Sequence, residues 1–251
     1  MDNMDWFFMI HSNTKREGPG LDAVTLNIWH SLTGTGRMQK GLDVGCGPGA
    51  QTLTLAQNTN IYWTAVDNHQ PFLDRLKETS GEMGLGAKIA TVNASMFELP
   101  FKENEFDVIW SEGAIYIMGF EQGLTGWQKY LKPGGYLVVS EISWLKPKTK
   151  IPEECLNFWT EEYPGMAITE ENIAIGRKCG YKVVDTVLLP EEGWWEYYLP
   201  HDENIDRLCR DYPGNEELIQ VVEIEKKERN MYRKYSDCYG YVFYVLQKKM
   251  I

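Results

Sequence analysis

The sequence predicts a doubly wound α/β fold, and three observations carry that prediction. Between residues 40 and 140, short runs rich in β-branched and aliphatic residues alternate with segments of helical periodicity. This is the pattern of parallel strands joined by right-handed crossovers. The first run passes into a glycine-packed turn, Gly41-Leu42-Asp43-Val44-Gly45-Cys46-Gly47-Pro48-Gly49, with a helical pattern behind it. The second ends on Asp67, roughly twenty residues further on, at the strand end where such sheets bind ligands.

In chain order, residues 19–33 read as an amphipathic helix, with Leu21, Val24, Thr25, Ile28 and Leu32 on one face and Pro19 in the first turn. Ahead of it, Lys15-Arg16-Glu17-Gly18 reads as a mobile entry segment. Strands are expected at 41–45, 61–66, 88–92, 106–110 and 135–141. The helices between them include 71–79, burying Phe72 and Leu76, and 123–131, with Leu124, Trp127 and Leu131 on a shared face. Further on, 152–163 and 170–180 read as helices, 181–189 as a strand and 240–247 as a last, antiparallel strand. Residues 191–237 intervene, with a helix at about 215–235 turning Leu218, Val221, Val222, Met231 and Tyr235 inward. The expected organisation is one domain over residues 1–251. Its core spans 38–145 plus the strands at 181–189 and 240–247, and a helical cap comes from 141–170 and 190–237.

A chain of 251 residues can bury a full core. Its formal charge of -11 argues against a nucleic-acid backbone as the main partner, because phosphate binding needs a basic surface. The cysteines Cys46, Cys155, Cys179, Cys209 and Cys238 are an odd set without a C-x-x-C pair, which favours reduced thiols over a disulfide framework or a zinc site. No metal ligand set is expected. The apolar run from Trp6 to Ile10 is too short for a signal peptide, and no stretch approaches the ~20 apolar residues of a membrane helix. A soluble, cytoplasmic protein is expected.

The turn is built to hold a small, partly anionic cofactor. Glycines let the backbone reverse tightly and let a ligand come close, and the helix behind offers unpaired N–H groups. Two cofactor classes compete. Gly45, Gly47 and Ala50 satisfy the dinucleotide spacing G-x-G-x-x-[GA], with Asp67 placed for a ribose hydroxyl. Asp43, however, stands two residues before the first glycine, where its carboxylate would repel a diphosphate. The same charge suits a cofactor with an ammonium and a sulfonium, as in S-adenosyl-L-methionine (SAM).

Five ordered segments extend the argument: Leu42-Asp43-Val44-Gly45-Cys46-Gly47-Pro48-Gly49, Ala65-Val66-Asp67, Glu98-Leu99-Pro100-Phe101, Phe106-Asp107-Val108-Ile109 and Leu131-Lys132-Pro133-Gly134-Gly135-Tyr136-Leu137. With them the chain resembles the class I SAM-dependent methyltransferases over residues 38–145, in particular the quinone-biosynthesis-like branch that acts on small molecules. The resemblance implies a Rossmann-like methyltransferase fold, a seven-stranded, mostly parallel sheet with an inserted cap. It also implies in-line transfer of the SAM methyl group to an N, O or C nucleophile of a small molecule, leaving S-adenosyl-L-homocysteine. Two other readings stay open: a SAM-binding sensor or scaffold without catalysis, and an NAD(P)-dependent oxidoreductase. The acceptor and the oligomeric state are not specified.

The resemblance and the local chemistry together assign roles. Gly45, Gly47 and Gly49 form the turn, Asp43 orients it and faces the methionine ammonium, and Cys46 packs inside it. Asp67 accepts hydrogen bonds from the ribose hydroxyls, or else caps the following helix. Asn68 lines the adenosine. Ser95 stands where the family pattern places an acidic group toward the adenine, so it brings a hydroxyl without charge. Met96 packs on the ring, and Asn93 is an alternative contact. Ser111 completes the cofactor side. Glu112 is the candidate proton acceptor and Tyr116 its neighbour toward the acceptor, with Glu141 a second acidic candidate. Arg16 and His11 are candidates for a flap over the cofactor carboxylate or the substrate. Tyr116, Trp144, Trp195 and Tyr198 could wall an aromatic pocket, and Trp194 belongs to a lid or to core.

Overall fold

The computed structural model describes residues 2–12 and 14–250. Seven strands, β1 (Lys40–Val44), β2 (Tyr62–Asp67), β3 (Ile89–Asn93), β4 (Phe106–Ser111), β5 (Leu131–Trp144), β6 (Tyr181–Leu188) and β7 (Tyr239–Lys248), form one sheet in the order β3-β2-β1-β4-β5-β7-β6. Neighbours from β3 to β5 pair in parallel, while β7 runs antiparallel to both β5 and β6. The order reverses between β1 and β4, and that is where the carboxyl ends of the strands leave a crevice.

Burial on both faces explains the continuous apolar runs of the central strands. Val108, Trp110, Tyr136 and Val138 point to one side, into a core shared with Val24, Ile28 and Trp29 of helix α2 (Asp22–Ser31). Ile109, Leu137 and Val139 point to the other, against Leu124 and Trp127 of α5 (Phe120–Gln128). Between these lie α3 (Ala50–Asn58) and α4 (Gln70–Glu82), and later α6 (Glu153–Glu162) and α7 (Thr169–Lys178). No helix among the described residues is long and apolar enough to cross a membrane.

All seven expected strands are present, each within a few residues of its expected bounds except β5. That strand continues to Trp144 and pairs with β7 as far as Trp144↔Tyr239, so residues 141–144 belong to the sheet and not to the cap. In α4, Leu73 joins Leu76 in the core, while Phe72 is half-buried and faces the crevice. The helix expected to reach residue 131 stops at Gln128, because Leu131 opens β5.

The segment between β6 and β7 is a helical pair, α8 (Glu191–Asp211) and α9 (Glu216–Tyr235). Trp194 is core: 1% exposed, it stacks on Tyr232 at 4.0 Å between ring centroids. An N-terminal helix, α1 (Asn3–Ile10), has no counterpart in the expectations. Its signal is the pair Asp2 and Asp5, whose side chains each accept the other's backbone N–H in a capping box. Trp6 and Ile10 bury themselves against Ile205 and Leu208 of α8 and Leu218, Val221 and Val222 of α9. At about 25 cal/mol per Å² of apolar surface, this contact fastens α1 to the α8–α9 pair more firmly than a surface ion pair would.

Candidate cofactor-binding and active site

A cavity of about 330 Å³ opens at the carboxyl ends of β1, β2 and β4. Its floor is the turn after β1. Gly45 and Gly49 have φ of +69° and +93°, and a Cβ added at either would lie 2.5 Å from Ala114 or 2.3 Å from Leu76. Only glycine satisfies both the backbone and the packing there. A Cβ at Gly47 would meet only Glu17, at 3.7 Å and beyond, and both residues are walls of the cavity. The turn is therefore tight behind and open in front.

Asp67 lines the cavity. Its Oδ2 accepts the Gly47 N–H at 2.9 Å and its Oδ1 the His69 N–H at 2.9 Å. A carboxylate has further lone pairs, so it can fix the turn and still meet two hydroxyls. The capping alternative is also partly realised, because the His69 amide stands just ahead of α4. Asn68, Ser95 and Met96 line the same end. Ser95 accepts the Phe97 N–H at 3.3 Å, and Met96 holds Trp127 through its carbonyl at 3.0 Å. Asn93 is turned away, donating to Gln70 at 2.8 Å.

Two residues expected at the cofactor lie behind the turn instead, outside the cavity wall. Asp43 is fully buried and accepts hydrogen bonds from Thr52 and, at 3.2 Å, from Gln51. Burial pushes its carboxyl up to about 7, and these two donors only partly offset that. Ser111 is fully buried and donates to the Val44 carbonyl at 2.8 Å, stitching β4 to β1. Cys46 does reach the cavity, but burial and then the Asp43 and Asp67 carboxylates hold its thiol well above the usual range. It is a packing residue and a poor nucleophile.

At the other end stands a buried ion pair. The Glu112 side chain is 3% exposed, and its Oε2 lies 3.1 Å from Arg16 Nη1. Its Oε1 accepts from Thr25 at 2.7 Å and from Trp110 Nε1 at 2.8 Å. Arg16 also pairs with Asp22, and its Nε is buried without a partner among the described residues. The segment expected to be mobile is thus pinned to α2 and to the end of β4, and the loop after β4 is fixed by the Gly113 N–H donating to Ser140 at 2.8 Å. No local pattern could have shown that Thr25, read as part of an apolar face, reaches Glu112.

Of the four aromatics expected in a pocket, Tyr116 alone lines the cavity. Trp144 and Tyr198 are core, and Trp195 packs half-buried against Tyr232. Phe8, Phe97 and Ile117 join Tyr116 at the mouth, all at least 41% exposed, and Phe8 stacks on His69 at 5.2 Å. Tyr116 meets Tyr163 edge-on at 6.1 Å, and the Tyr163 hydroxyl donates to Glu141 at 2.6 Å. Glu141 is 2% exposed, and burial pushes its carboxyl up to about 7.

Residues 42–139 match the family model described as a methyltransferase domain. The fold around that match agrees. A SAM-dependent methyltransferase from Geobacter sulfurreducens, solved with S-adenosyl-L-homocysteine, superposes with a TM-score of 0.81 at 20% identity over 98% of both chains. The matched stretch, residues 42–139, resembles a methyltransferase domain and makes up somewhat under half of the chain. A sterol 24-C-methyltransferase of Pneumocystis carinii is 28% identical over 180 residues, covering 68% of this chain and 48% of that protein. The uncharacterized protein YjhP of Escherichia coli is 25% identical over 223 residues, covering 84% of this chain and 86% of that protein. The chain thus spans about half the length of the sterol methylating relative it matches. The resemblance is to SAM-dependent methyltransferases as a class, and the matches do not single out the quinone-biosynthesis-like branch.

Proposed function

We propose that this protein transfers a methyl group from SAM to a small-molecule acceptor with an apolar body. The observation that carries the reading is the cavity itself, floored by the glycine turn and closed by Asp67 at one end and the Arg16–Glu112 pair at the other. The residues present fit the cofactor: a carboxylate for the ribose, a half-buried ring and a thioether for the adenine, and a buried guanidinium with an unsatisfied N–H for a carboxylate.

Bound there, SAM supplies a methyl group on a sulfonium, an electrophile that needs no further activation. Asp67 and Asn68 hold the ribose end, Met96 and Phe72 face the ring, and Ser95 offers a hydroxyl at its edge. Arg16 meets the anionic end. With both its oxygens engaged, Glu112 serves to hold Arg16 in place more than to accept a proton. Tyr116 and the apolar rim orient the acceptor, and alignment of this kind supplies about 7–11 kcal/mol in well-placed systems.

Quinone-like rings and the sterol skeleton of the Pneumocystis relative both present the apolar surface that the rim favours. The five free thiols fit a reducing compartment, the cytoplasm. Calorimetric titration with SAM, S-adenosylhomocysteine and NAD(H), repeated on Asp67→Ala, tests the cofactor. Micromolar binding of the adenosyl compounds, weakened by the substitution and missing for NAD(H), is expected. NAD(H) binding without SAM binding overturns the proposal. Tight SAM binding with no methyl transfer across amines, phenols, quinols and sterols favours the sensor reading.

A further inference from the structure

We propose that His11, His201 and Glu225 form a binding site for a zinc-class divalent metal ion, a clasp that fastens the N-terminal helix to the cap. The three come from separate elements, His11 at the C-terminus of α1, His201 in α8 and Glu225 in α9. One ligand atom from each lies within 4.8 Å of the others. His11 Nε2 is 3.4 Å from Glu225 Oε1, and His201 Nδ1 is 3.9 Å from Glu225 Oε2. Ligand atoms at the usual zinc bond lengths stand roughly 3.3–3.4 Å apart around a tetrahedron, so small movements complete the site.

Two further observations point to a ligand. His201 is 0% exposed, and neither of its ring nitrogens has a hydrogen-bond partner among the described residues. Buried polar atoms are rarely left so, and a lone pair facing two other ligand atoms is what a metal ion satisfies. On the far side, His11 Nδ1 lies 3.1 Å from Glu17 Oε2. An Nδ1–H donated to that carboxylate fixes the tautomer and turns the Nε2 lone pair on Glu225, the carboxylate–histidine–metal arrangement. Protonated His11 bridging two carboxylates accounts for His11 but leaves His201 unpaired.

Two imidazoles and a carboxylate form a donor set for zinc or a neighbouring transition ion, whereas calcium and magnesium prefer all-oxygen sites. Three protein ligands leave one tetrahedral position for water. The site's consequence is positional. Glu17, the outer partner of His11, is also a wall of the cavity, and Phe8 of the clasped helix lies at its mouth. The sequence gives no warning, because no two ligands share an element.

The test uses the full chain without an affinity tag, stripped with chelator and titrated with zinc chloride and cobalt chloride. About one zinc ion per chain, a raised melting temperature and the visible spectrum of four- or five-coordinate cobalt are expected. His201→Gln and Glu225→Gln should each weaken zinc binding by at least about a hundredfold, while His69→Gln leaves it unchanged. Wild-type protein that binds no stoichiometric zinc overturns the proposal, as does binding that survives both ligand substitutions. If a substituted chain fails to fold, the cobalt spectrum of the wild type decides, and six-coordinate aqueous cobalt refutes the site.

Discussion

The two walls of the cavity are built in opposite ways. On the turn side, residues 45–49, Asp67 and 94–96 are each delivered by the end of a neighbouring parallel strand, and the contacts among them are short-range consequences of strand order. On the other side, Arg16 and Thr25 of the N-terminal stretch meet Glu112 from the distant end of β4, and α1 is held by helices that follow β6. The first wall is enforced by backbone sterics and the second by burial of side chains. A wall of the first kind fails at a single atom. A wall of the second kind loosens as a unit.

The comparison is broken most forcefully at Gly49. Gly49→Val places a β-branched residue at φ +93° with its Cβ against Leu76, costing on the order of 3 kcal/mol from strain and overpacking together. Denaturant melts should show the loss, and calorimetry should show no SAM binding at concentrations that saturate the wild type. Trp6→Ala attacks the other wall at about 3 kcal/mol of lost packing. Amide exchange should then rise across α1 while β1 and β4 stay protected. Equal loss of protection in the sheet would show that the walls unfold as one.

Asp67→Ala is smaller still. Losing a charge-assisted hydrogen bond should weaken SAM binding roughly tenfold to hundredfold, read by calorimetry, with a lowered melting temperature because the Gly47 and His69 N–H groups lose their acceptor. The smallest effect is a slope. Glu141 is raised from 4.5 to about 7 in the folded chain, so folding favours its protonated form. The stability this contributes is fully present below about pH 4.5 and is lost as pH climbs through about 7. Glu141→Gln should remove that decline, so the variant gains on the wild type across this window in urea melts. A constant difference at every pH would place the Glu141 carboxyl in its ordinary range.

The same contrast explains what could be read in advance. Strand periodicity and turn glycines act over a few residues, so all seven strands and the floor of the cavity were legible. Asp43 and Ser111 show the limit, since a residue beside a turn can face the ligand or the protein behind it. Only packing against Gln51, Thr52 and the Val44 carbonyl decides that. Glu112 looked like a free carboxylate because Arg16 lies in a stretch that reads as solvent-exposed. Helix α1 did carry a local signal in Asp2 and Asp5, and the capping box was the place to look for it.

The antiparallel placement of β7 has a consequence for how such a protein can change. Because β6 runs parallel to β5, the chain leaves β6 and returns to β7 at the carboxyl edge, with Leu188 and Val242 as paired neighbours. Whatever is spliced between them begins and ends a few ångströms apart, on the same edge of the sheet as the cavity. Closing a longer loop there costs only about 0.6 kcal/mol per doubling of its length. The α8–α9 pair therefore occupies a socket in which covers of different size can be exchanged without disturbing a single parallel strand.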